Sequence, residues 1–230
     1  MGMSMLTMEE IFPPFGLRIT SGAVEMRVMR DQDIPELVEL IHDGIQTPDL
    51  PMPFLNDWHV QPFQPGSPEG FPTASLAWWW SQRAKFAPED WHFALAVRRD
   101  GVLVGMQDMH AKNFPQTRHV ETGSWLGLRH QGGGTGTLMR QLAVGFAFDE
   151  LAARSCGSGY IVGNHASAAV SRKTGYVMNG LNRIVQHTAE GPIGVDEQRV
   201  LVSPHTYVRP HGAVSIQGAD ALRRFLALDH

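Results

Sequence analysis

Residues 131–137 read Gln131-Gly132-Gly133-Gly134-Thr135-Gly136-Thr137, between a strand-like run at 120–128 and a helix-like run at 138–153. Glycine lets the backbone approach a ligand closely because it has no Cβ. The unpaired N–H groups of a helix's first turn bind anions, and the helix dipole strengthens that binding. A strand, a glycine-rich turn and a helix N-terminus in this order therefore predict a site for a phosphate or diphosphate group.

The spacing of this loop differs from two common phosphate-binding motifs. A Walker A loop contains Gly-Lys-Ser/Thr, and residues 131–137 contain no lysine. A dinucleotide motif, Gly-x-Gly-x-x-Gly, read from Gly134 and Gly136 would need glycine where Met139 stands. The spacing thus disfavours a nucleotide- or dinucleotide-binding enzyme, which stays open as a further hypothesis. What remains is the pattern Gln131-x-x-Gly134-x-Gly136.

Further motifs flank the glycine loop. A strand-like run at 160–163 leads into Asn164-His165-Ala166-Ser167, and Thr174-Gly175-Tyr176 follows. Together with the loop, these residues resemble the GNAT superfamily of acyl-CoA-dependent N-acyltransferases, specifically over 92–186 and more loosely over 24–91. Ser124-Trp125-Leu126 is similar to the ribosomal-protein N-acetyltransferase branch of that superfamily. The stretch from 123 to 181 also resembles a branch that is linked to larger acyl groups, succinyl among them.

This resemblance implies an α/β fold with a mixed, largely antiparallel sheet of about seven strands flanked by helices. Two of its strands would splay apart around acyl-CoA. The resemblance also implies main-chain bonds from Ser124, Trp125 and Leu126 to the pantetheine arm and acyl carbonyl, and a bond from Asn164 to the arm. The implied cofactor-binding residues are Ser124, Trp125, Leu126, Gln131, Gly132, Gly133, Gly134, Thr135, Gly136, Thr137, Asn164, Ser167 and Arg172.

Acyl transfer to an amine needs a proton acceptor, because an ammonium ion cannot attack a thioester. Glu121 matches a position that is often acidic in the related branch, and it is the predicted acceptor. The open alternative for Glu121 is a solvated strand carboxylate or an ion pair with Arg118. Asp108 and His110 share one face of the preceding predicted strand, and they are further candidates that would act directly or through water.

The departing thiolate needs a proton or a hydrogen bond. Many GNAT enzymes place a tyrosine seven residues after the asparagine, but this chain has Ser171 there. Ser167 is the predicted substitute, and the alternative is that Ser167 caps its helix. Arg172 or Lys173 is a candidate for the 3′-phosphate of CoA, with a solvated helix face as the alternative.

The chain divides into three predicted regions: an irregular lead-in at 1–23, one acyltransferase domain at 24–208, and a C-terminal extension with a helix at 209–230. Residues 46–74 are rich in proline and are predicted to form a lid-like loop. Asp100-Gly101 predicts a hairpin turn, and Gly123 predicts a bulge or a close backbone approach. Arg199 to Val208 is predicted as an edge strand because it contains Pro204.

Composition restricts the functional classes. The formal net charge of −4 argues against a nucleic-acid partner, and no apolar run reaches the length of a membrane span. The single cysteine, Cys156, lies in a predicted turn and permits no intrachain disulfide. With no signal peptide or myristoylation pattern visible, a cytoplasmic location is expected. No metal-binding motif is present despite 11 histidines, so no metal is expected.

The sequence therefore predicts an acyl-CoA-dependent N-acyltransferase that moves an acetyl or succinyl group to a primary amine of a small molecule or protein. Its donor would be acetyl-CoA or succinyl-CoA. The alternative from another class is a non-catalytic acyl-CoA-binding or regulatory module. Apolar surface on the tryptophan helix (75–86) and the C-terminal segment would be suited to a homodimer contact.

Overall fold

The computed structural model describes residues 5–47 and 50–228, which form one nine-stranded sheet with helices on both faces. The helices are α1 (Met8–Ile11), α2 (Ile34–His42), α3 (Phe71–Ala84), α4 (Phe114–Thr117), α5 (Thr135–Asp149), α6 (His165–Thr174) and α7 (Ala219–Phe225). The strands are β1 (Arg18–Ser21), β2 (Val24–Val28), β3 (Asp90–Arg99), β4 (Val102–Lys112), β5 (His119–Leu126), β6 (Ser155–Ile161), β7 (Val177–Thr188), β8 (Gly191–Val202) and β9 (Ser215–Gln217).

The strand order is β7-β8-β6-β5-β4-β3-β2-β1-β9. Among the nine described strands, β5 and β6 are the one parallel pair, while the other neighbouring strands are antiparallel. The predicted α/β fold with a largely antiparallel sheet is confirmed, with nine strands instead of about seven. Within the described ranges, no helix combines the length and the apolar character needed to span a bilayer.

Most local predictions are confirmed. Asp100 and Gly101 both have positive φ in the turn between β3 and β4, as a two-residue hairpin turn requires. Helix α5 buries the predicted face, and Gly175 ends α6 in the left-handed conformation. The predicted loop at 46–74 ends earlier, since α3 begins at Phe71 with Pro72 in its first turn. Residues 48 and 49 of that loop lie outside the described residues.

The ends of the chain differ from the prediction. The segment 1–23 was predicted to be irregular, but its described part contains α1 and β1, and β1 pairs with both β2 and β9. Ile19 lies opposite Ile216, so this pairing joins segments from the two ends of the chain. A four-residue strand such as β1 is too short for a periodic pattern to show in the sequence. The limits of the predicted domain stay a prediction.

Three other predictions are wrong. Strand β8 lies between β6 and β7 and stops before Pro204, so it is an interior strand, and β7 forms the edge of the sheet on this side. Gly123 pairs with Asp108 in an unbroken register, without a bulge, and its Cβ position faces open space. Cys156 lies in β6 instead of a turn, and burial raises the pKa of its thiol. A thiol that stays protonated is not a nucleophile.

The core has two parts, one on each face of the sheet. On the α5 face, Met139, Leu142 and Phe146 pack against strands β2 to β6. On the opposite face, α2 and α3 cover the sheet with Leu37, Ile41 and Trp79. The neighbours Trp78 and Trp80 are 48% and 51% exposed, so one ring of the tryptophan triplet enters the core. The homodimer contact through this helix stays a prediction.

A buried carboxylate fastens the start of α2 to the sheet. Asp33 is 1% exposed and accepts hydrogen bonds from Arg27 (2.6 Å), Arg98 (3.1 Å) and the Arg30 N–H (2.9 Å). We expect Asp33→Ala to lower the free energy of unfolding by about 3–5 kcal/mol, because two guanidinium groups lose their buried partner. Urea unfolding at neutral pH measures this loss.

The control is Asp43→Ala, which breaks a single exposed ion pair with Arg129. Exposed pairs contribute at most about 1 kcal/mol, so this variant should unfold almost as the parent does. Equal losses in the two variants would contradict a structural role for the buried network.

Candidate active site

Strands β5 and β6 pair over only three residues and then separate. The parallel register joins His119 to Ser155, Val120 to Cys156 and Glu121 to Gly157. Beyond that point β5 continues with β4 while β6 continues with β8. In the described strands, the β6-facing edge of residues 122–126 therefore has no ladder partner. This opening, which we call the gap, leaves main-chain groups that can pair with an extended amide chain.

Two side chains close the narrow end of the gap. The Thr122 hydroxyl donates to the Gly157 carbonyl (3.0 Å), and the Ser158 hydroxyl donates to the Thr122 carbonyl (2.8 Å). These bonds replace the next rung of the β5–β6 ladder. The gap therefore has a fixed end beside Thr122, and it widens toward Leu126 and the glycine loop.

The glycine loop lies at the wide end of the gap. Gly132 and Gly134 have φ of +76° and +82°, and a Cβ at either position would project into open space. Gly134 is the N-cap of α5. Within the described residues, the N–H groups of 132–137 donate to no protein acceptor. Six N–H groups at the positive end of a helix dipole fit an anionic group such as a diphosphate.

Two side chains hold the loop in this shape. The Gln131 amide donates to the carbonyls of Ile45 (3.1 Å) and Leu126 (2.9 Å). Arg99 donates to the Gly133 carbonyl (3.2 Å) and to the Thr135 hydroxyl (2.8 Å). Gln131 therefore has a positioning role, and Arg99 is a residue that the sequence reading missed.

A row of polar side chains crosses the sheet on the α2/α3 face. His92, His110 and Glu121 lie opposite one another on β3, β4 and β5. Asp108 is on the same face of β4 and is hydrogen-bonded to His92 (2.9 Å). Glu121 accepts from Arg199 (2.6 Å) and is hydrogen-bonded to His119 (3.1 Å). We call His92, Asp108, His110 and Glu121 the polar row.

The partner of Glu121 differs from the sequence-based alternative. Arg118 donates to the Leu151 carbonyl and packs over Phe114, so it does not pair with Glu121. The ion pair with Arg199 crosses β6 at Gly157, where a Cβ would collide with the Glu121 carboxylate. A Cβ at Gly159 would likewise collide with Glu197. Two alternating glycines in a strand signal such a close approach, but the predicted strand began only at residue 160.

The environment sets different proton affinities along the polar row. Burial alone would raise the pKa of Glu121, but the bonds from His119 and Arg199 outweigh it, so the pKa is lowered. His110 is exposed on this face of the sheet, but neighbouring atoms remove part of its hydration. This partial desolvation lowers the pKa of His110, and His92 lowers it further, against the charges of Glu121 and Asp108. At neutral pH Glu121 is therefore an ionised, weak base, while His110 is an uncharged imidazole that can accept a proton.

Comparison with known proteins identifies the fold. Residues 24–177 match the family model described as an acetyltransferase (GNAT) domain. The chain belongs to this family. The GNAT membership predicted from the glycine loop and from Asn164 to Tyr176 is thus confirmed.

Several solved acetyltransferases share the fold. RimJ of Mycobacterium smegmatis, solved with CoA-disulfide, is 17% identical, with a TM-score of 0.63 over 91% of this chain and 92% of RimJ. RimL, a ribosomal L7/L12 alpha-N-protein acetyltransferase solved with coenzyme A, is 15% identical, with a TM-score of 0.58 over 80% of this chain and 95% of RimL. A GNAT-family acetyltransferase of Bacillus anthracis is 14% identical, with a TM-score of 0.58 over 81% of this chain and 98% of its own.

In this GNAT fold, α6 flanks the gap and carries the other predicted residues. The Asn164 side chain accepts the N–H of Ser167 (3.0 Å), so Asn164 is the N-cap of α6 and the capping alternative for Ser167 is wrong. No described group bonds the Ser167 hydroxyl, and the role predicted for it stays open. Ser171 is buried and its hydroxyl has no partner in the described structure. Arg172 is exposed.

An aromatic loop covers the α2/α3 face beside the polar row. Trp58 lies 6.3 Å from Trp125 of β5 between ring centroids, and Phe54 packs on Trp58 at 5.5 Å. Gln186, which is 4% exposed, donates to the carbonyls of Met52 (2.9 Å) and Phe54 (2.6 Å). The lid-like segment is thus fastened to β7, and it forms an apolar wall where an acceptor would approach the gap.

Proposed function

We propose that this chain is an N-acetyltransferase that transfers the acetyl group of acetyl-CoA to a primary amine. The gap carries this proposal, because its wide end begins at six free N–H groups and its narrow end lies beside the polar row. A donor with an anionic head and an extended amide arm matches the wide end. A site for proton transfer matches the narrow end.

The donor would lie along β5. Its diphosphate fits the N–H groups of 132–137. Its pantetheine amides fit the β6-facing main chain of 122–126, which has no strand partner and in which only the Thr122 and Leu126 carbonyls accept from side chains in the described structure. A main-chain N–H of that segment would also donate to the thioester carbonyl and stabilise the oxyanion that forms there. These roles use the cofactor-binding residues predicted on β5 and the glycine loop, while the roles predicted for Asn164, Ser167 and Arg172 stay predictions.

The acceptor amine would approach from the α2/α3 face and attack the thioester carbonyl carbon. Its surplus proton passes to His110, the acyl–sulfur bond breaks, and the bonding pair leaves with the sulfur. His110 suits this role better than Glu121, because Glu121 already accepts from two donors. Glu121 and Asp108 then stabilise the imidazolium with their negative charges, and both of these predicted catalytic residues thereby have a function.

The aromatic side chains beside the polar row indicate which class of acceptor binds there. The rings of Phe54, Trp58 and Trp125 provide apolar contact area next to carboxylates that attract a cationic amine. RimL, which shares the fold, is a ribosomal L7/L12 alpha-N-protein acetyltransferase. We therefore favour the α-amino group of a protein N-terminus over a small-molecule amine.

An uncharged acetyl group is favoured over succinyl. The basic groups that contact Glu121, Arg199 and His119, are already bonded to that carboxylate. A second carboxylate on the donor would compete with Glu121 for them and would meet its negative charge. Succinyl-CoA is the alternative donor.

The test combines binding and turnover. The protein is mixed with acetyl-CoA and a panel of peptides with free N-termini, including ribosomal-protein N-termini, and with small primary amines. We expect acceptor-dependent release of free CoA, detected with a thiol reagent, and acetylation of the α-amine by mass spectrometry. Absence of acyl-CoA binding would overturn the proposal, and binding without turnover on any amine would favour the non-catalytic module. Turnover of succinyl-CoA at or above the acetyl-CoA rate would contradict the choice of donor.

A further inference from the structure

A buried arginine bridges the two strands that separate. Arg140 of α5 is 3% exposed and lies on the α5 side of the gap. Its Nη1 donates to the Ser158 hydroxyl on β6 (2.9 Å), and its Nη2 donates to the Ser124 hydroxyl on β5 (2.7 Å). One cationic side chain therefore forms the floor of the gap, across the strands that are to hold the donor's arm.

This cation has no negative partner in the described structure. Its two bonded acceptors are neutral hydroxyls, and its Nε is buried without a hydrogen bond. Its further neighbours are Tyr176, whose ring centroid lies 6.0 Å away, and Cys156, and burial raises the pKa of both so that neither is charged at neutral pH. A buried charge costs several kcal/mol unless an opposite charge compensates it. A cation kept at this position therefore suits a site where negative charge arrives or develops.

The length of the donor's pantetheine arm indicates which negative charge would develop beside Arg140. This step rests on the proposed function. The chain of pantetheine from the diphosphate to the sulfur is about as long as four extended residues, or about 14 Å. With the diphosphate at the glycine loop, an arm laid along β5 from Leu126 ends near Thr122. The sulfur at that end of the arm lies over the segment from Thr122 to Ser124, and the Ser124 hydroxyl accepts from Arg140.

We propose that Arg140 stabilises the CoA thiolate as it leaves. When the acyl–sulfur bond breaks, the bonding pair passes to the sulfur and the amine proton passes to the base. No proton needs to reach the sulfur before cleavage, because the fixed positive charge stabilises the anion. In the described structure the Ser124 hydroxyl donates to no protein acceptor, so Ser124, polarised by Arg140, can donate a hydrogen bond to the sulfur while it keeps its proton. Arg140 is thus a positioning and electrostatic residue that acts through Ser124.

The proposal accounts for the departure from the family pattern at residue 171. The family's tyrosine is replaced by Ser171, whose buried hydroxyl lacks a partner. Tyr176 does not substitute for it, because its hydroxyl is hydrogen-bonded to Thr122 (2.7 Å) and burial raises its pKa to about 12. A cation beneath the sulfur makes a neutral acid at this point unnecessary.

The test measures the pKa of the thiol of bound CoA, from the ultraviolet absorbance of its thiolate during a pH titration. In the wild-type protein we expect a pKa about 1–3 units below that of free CoA. Arg140→Met should return it to the value of free CoA, while Arg140→Lys should retain part of the decrease. Arg209→Met is the control, because it removes an exposed arginine that pairs with Asp149.

The wild-type measurement alone can overturn the proposal, even if Arg140→Met does not fold. Bound and free CoA thiols with the same pKa would show that Arg140 only joins the two strands. A lowered pKa that Arg140→Met leaves unchanged would also overturn it. A change in the relative rates with succinyl-CoA and acetyl-CoA in Arg140→Met, without a change in the pKa of the bound thiol, would overturn it as well. Failure of the wild-type protein to bind CoA at all would overturn the proposed function together with this inference.

Discussion

His110→Gln is expected to lower kcat by about 100- to 10,000-fold, the range for loss of a general base. The substitution keeps a polar side chain of similar length on β4 but removes the group that accepts the amine's proton. His205→Gln, at an exposed position after β8, is the control and should keep full activity. Steady-state kinetics with saturating acetyl-CoA and acceptor peptide measure both variants.

The pH dependence of the wild-type enzyme separates the two candidate bases. The imidazole of His110 must be neutral to act, and its pKa is lowered from 6.5. Activity should therefore be present above that lowered pKa and be lost as the pH falls through it. Glu121 has a pKa lowered from 4.5. If Glu121 were the base, activity would therefore be lost only at a still lower pH. We expect the residual activity of His110→Gln to lack the loss of activity that protonation of His110 causes in the wild-type enzyme.

Glu121→Gln tests the alternative assignment, in which Glu121 is the general base. If His110 is the base, this variant should lose a smaller factor than His110→Gln, because the imidazolium loses one stabilising charge. Full activity in His110→Gln together with loss of activity in Glu121→Gln would assign proton transfer to Glu121. That result would restore the assignment that the sequence favoured.

Gly134→Ala is expected to weaken CoA binding by about 10- to 100-fold, with little change in kcat at saturating donor. This equals the loss of about one hydrogen bond to a charged group. Gly134 has φ of +82°, so a Cβ would strain the N-cap of α5 and project into the space next to the free N–H groups. Isothermal titration calorimetry with CoA measures the affinity.

Gly191→Ala is the matched control for Gly134→Ala. Gly191 also has positive φ (+117°) and open space at its Cβ position, but it is the first residue of β8, directly after the turn from β7. Both variants should lose stability through backbone strain, whereas only Gly134→Ala should lose CoA affinity. An equal loss of affinity in the two variants would contradict the diphosphate site at the glycine loop.

The features that the sequence predicted well are those with a local signature. A glycine-rich turn between a strand and a helix, an Asp-Gly hairpin and a helix ended by Gly175 each depend on the conformations of a few neighbouring residues. The apolar positions of α5 recur at helical spacing, and that recurrence identifies its buried face without knowledge of what covers it. Such signals were sufficient for the fold family and for the glycine loop with the helix that follows it.

The electrostatics of the site required the tertiary structure. Glu121 pairs with Arg199, which is 78 residues away in the chain, because β8 inserts beside β6. Arg140 bonds to Ser124 and Ser158, which are close only because β5 and β6 are adjacent and diverge there. Strand order and register decide these contacts, and sequence spacing carries no information about either.

By itself, then, the sequence determined the family, the glycine loop and the helix that it caps, because those depend on short-range conformational preferences. Only the folded chain decided which carboxylate is already neutralised, which imidazole can take a proton, and where an arginine is buried without a counter-charge. Those properties depend on burial and on the distances between groups far apart in the chain, and both arise only when the sheet assembles.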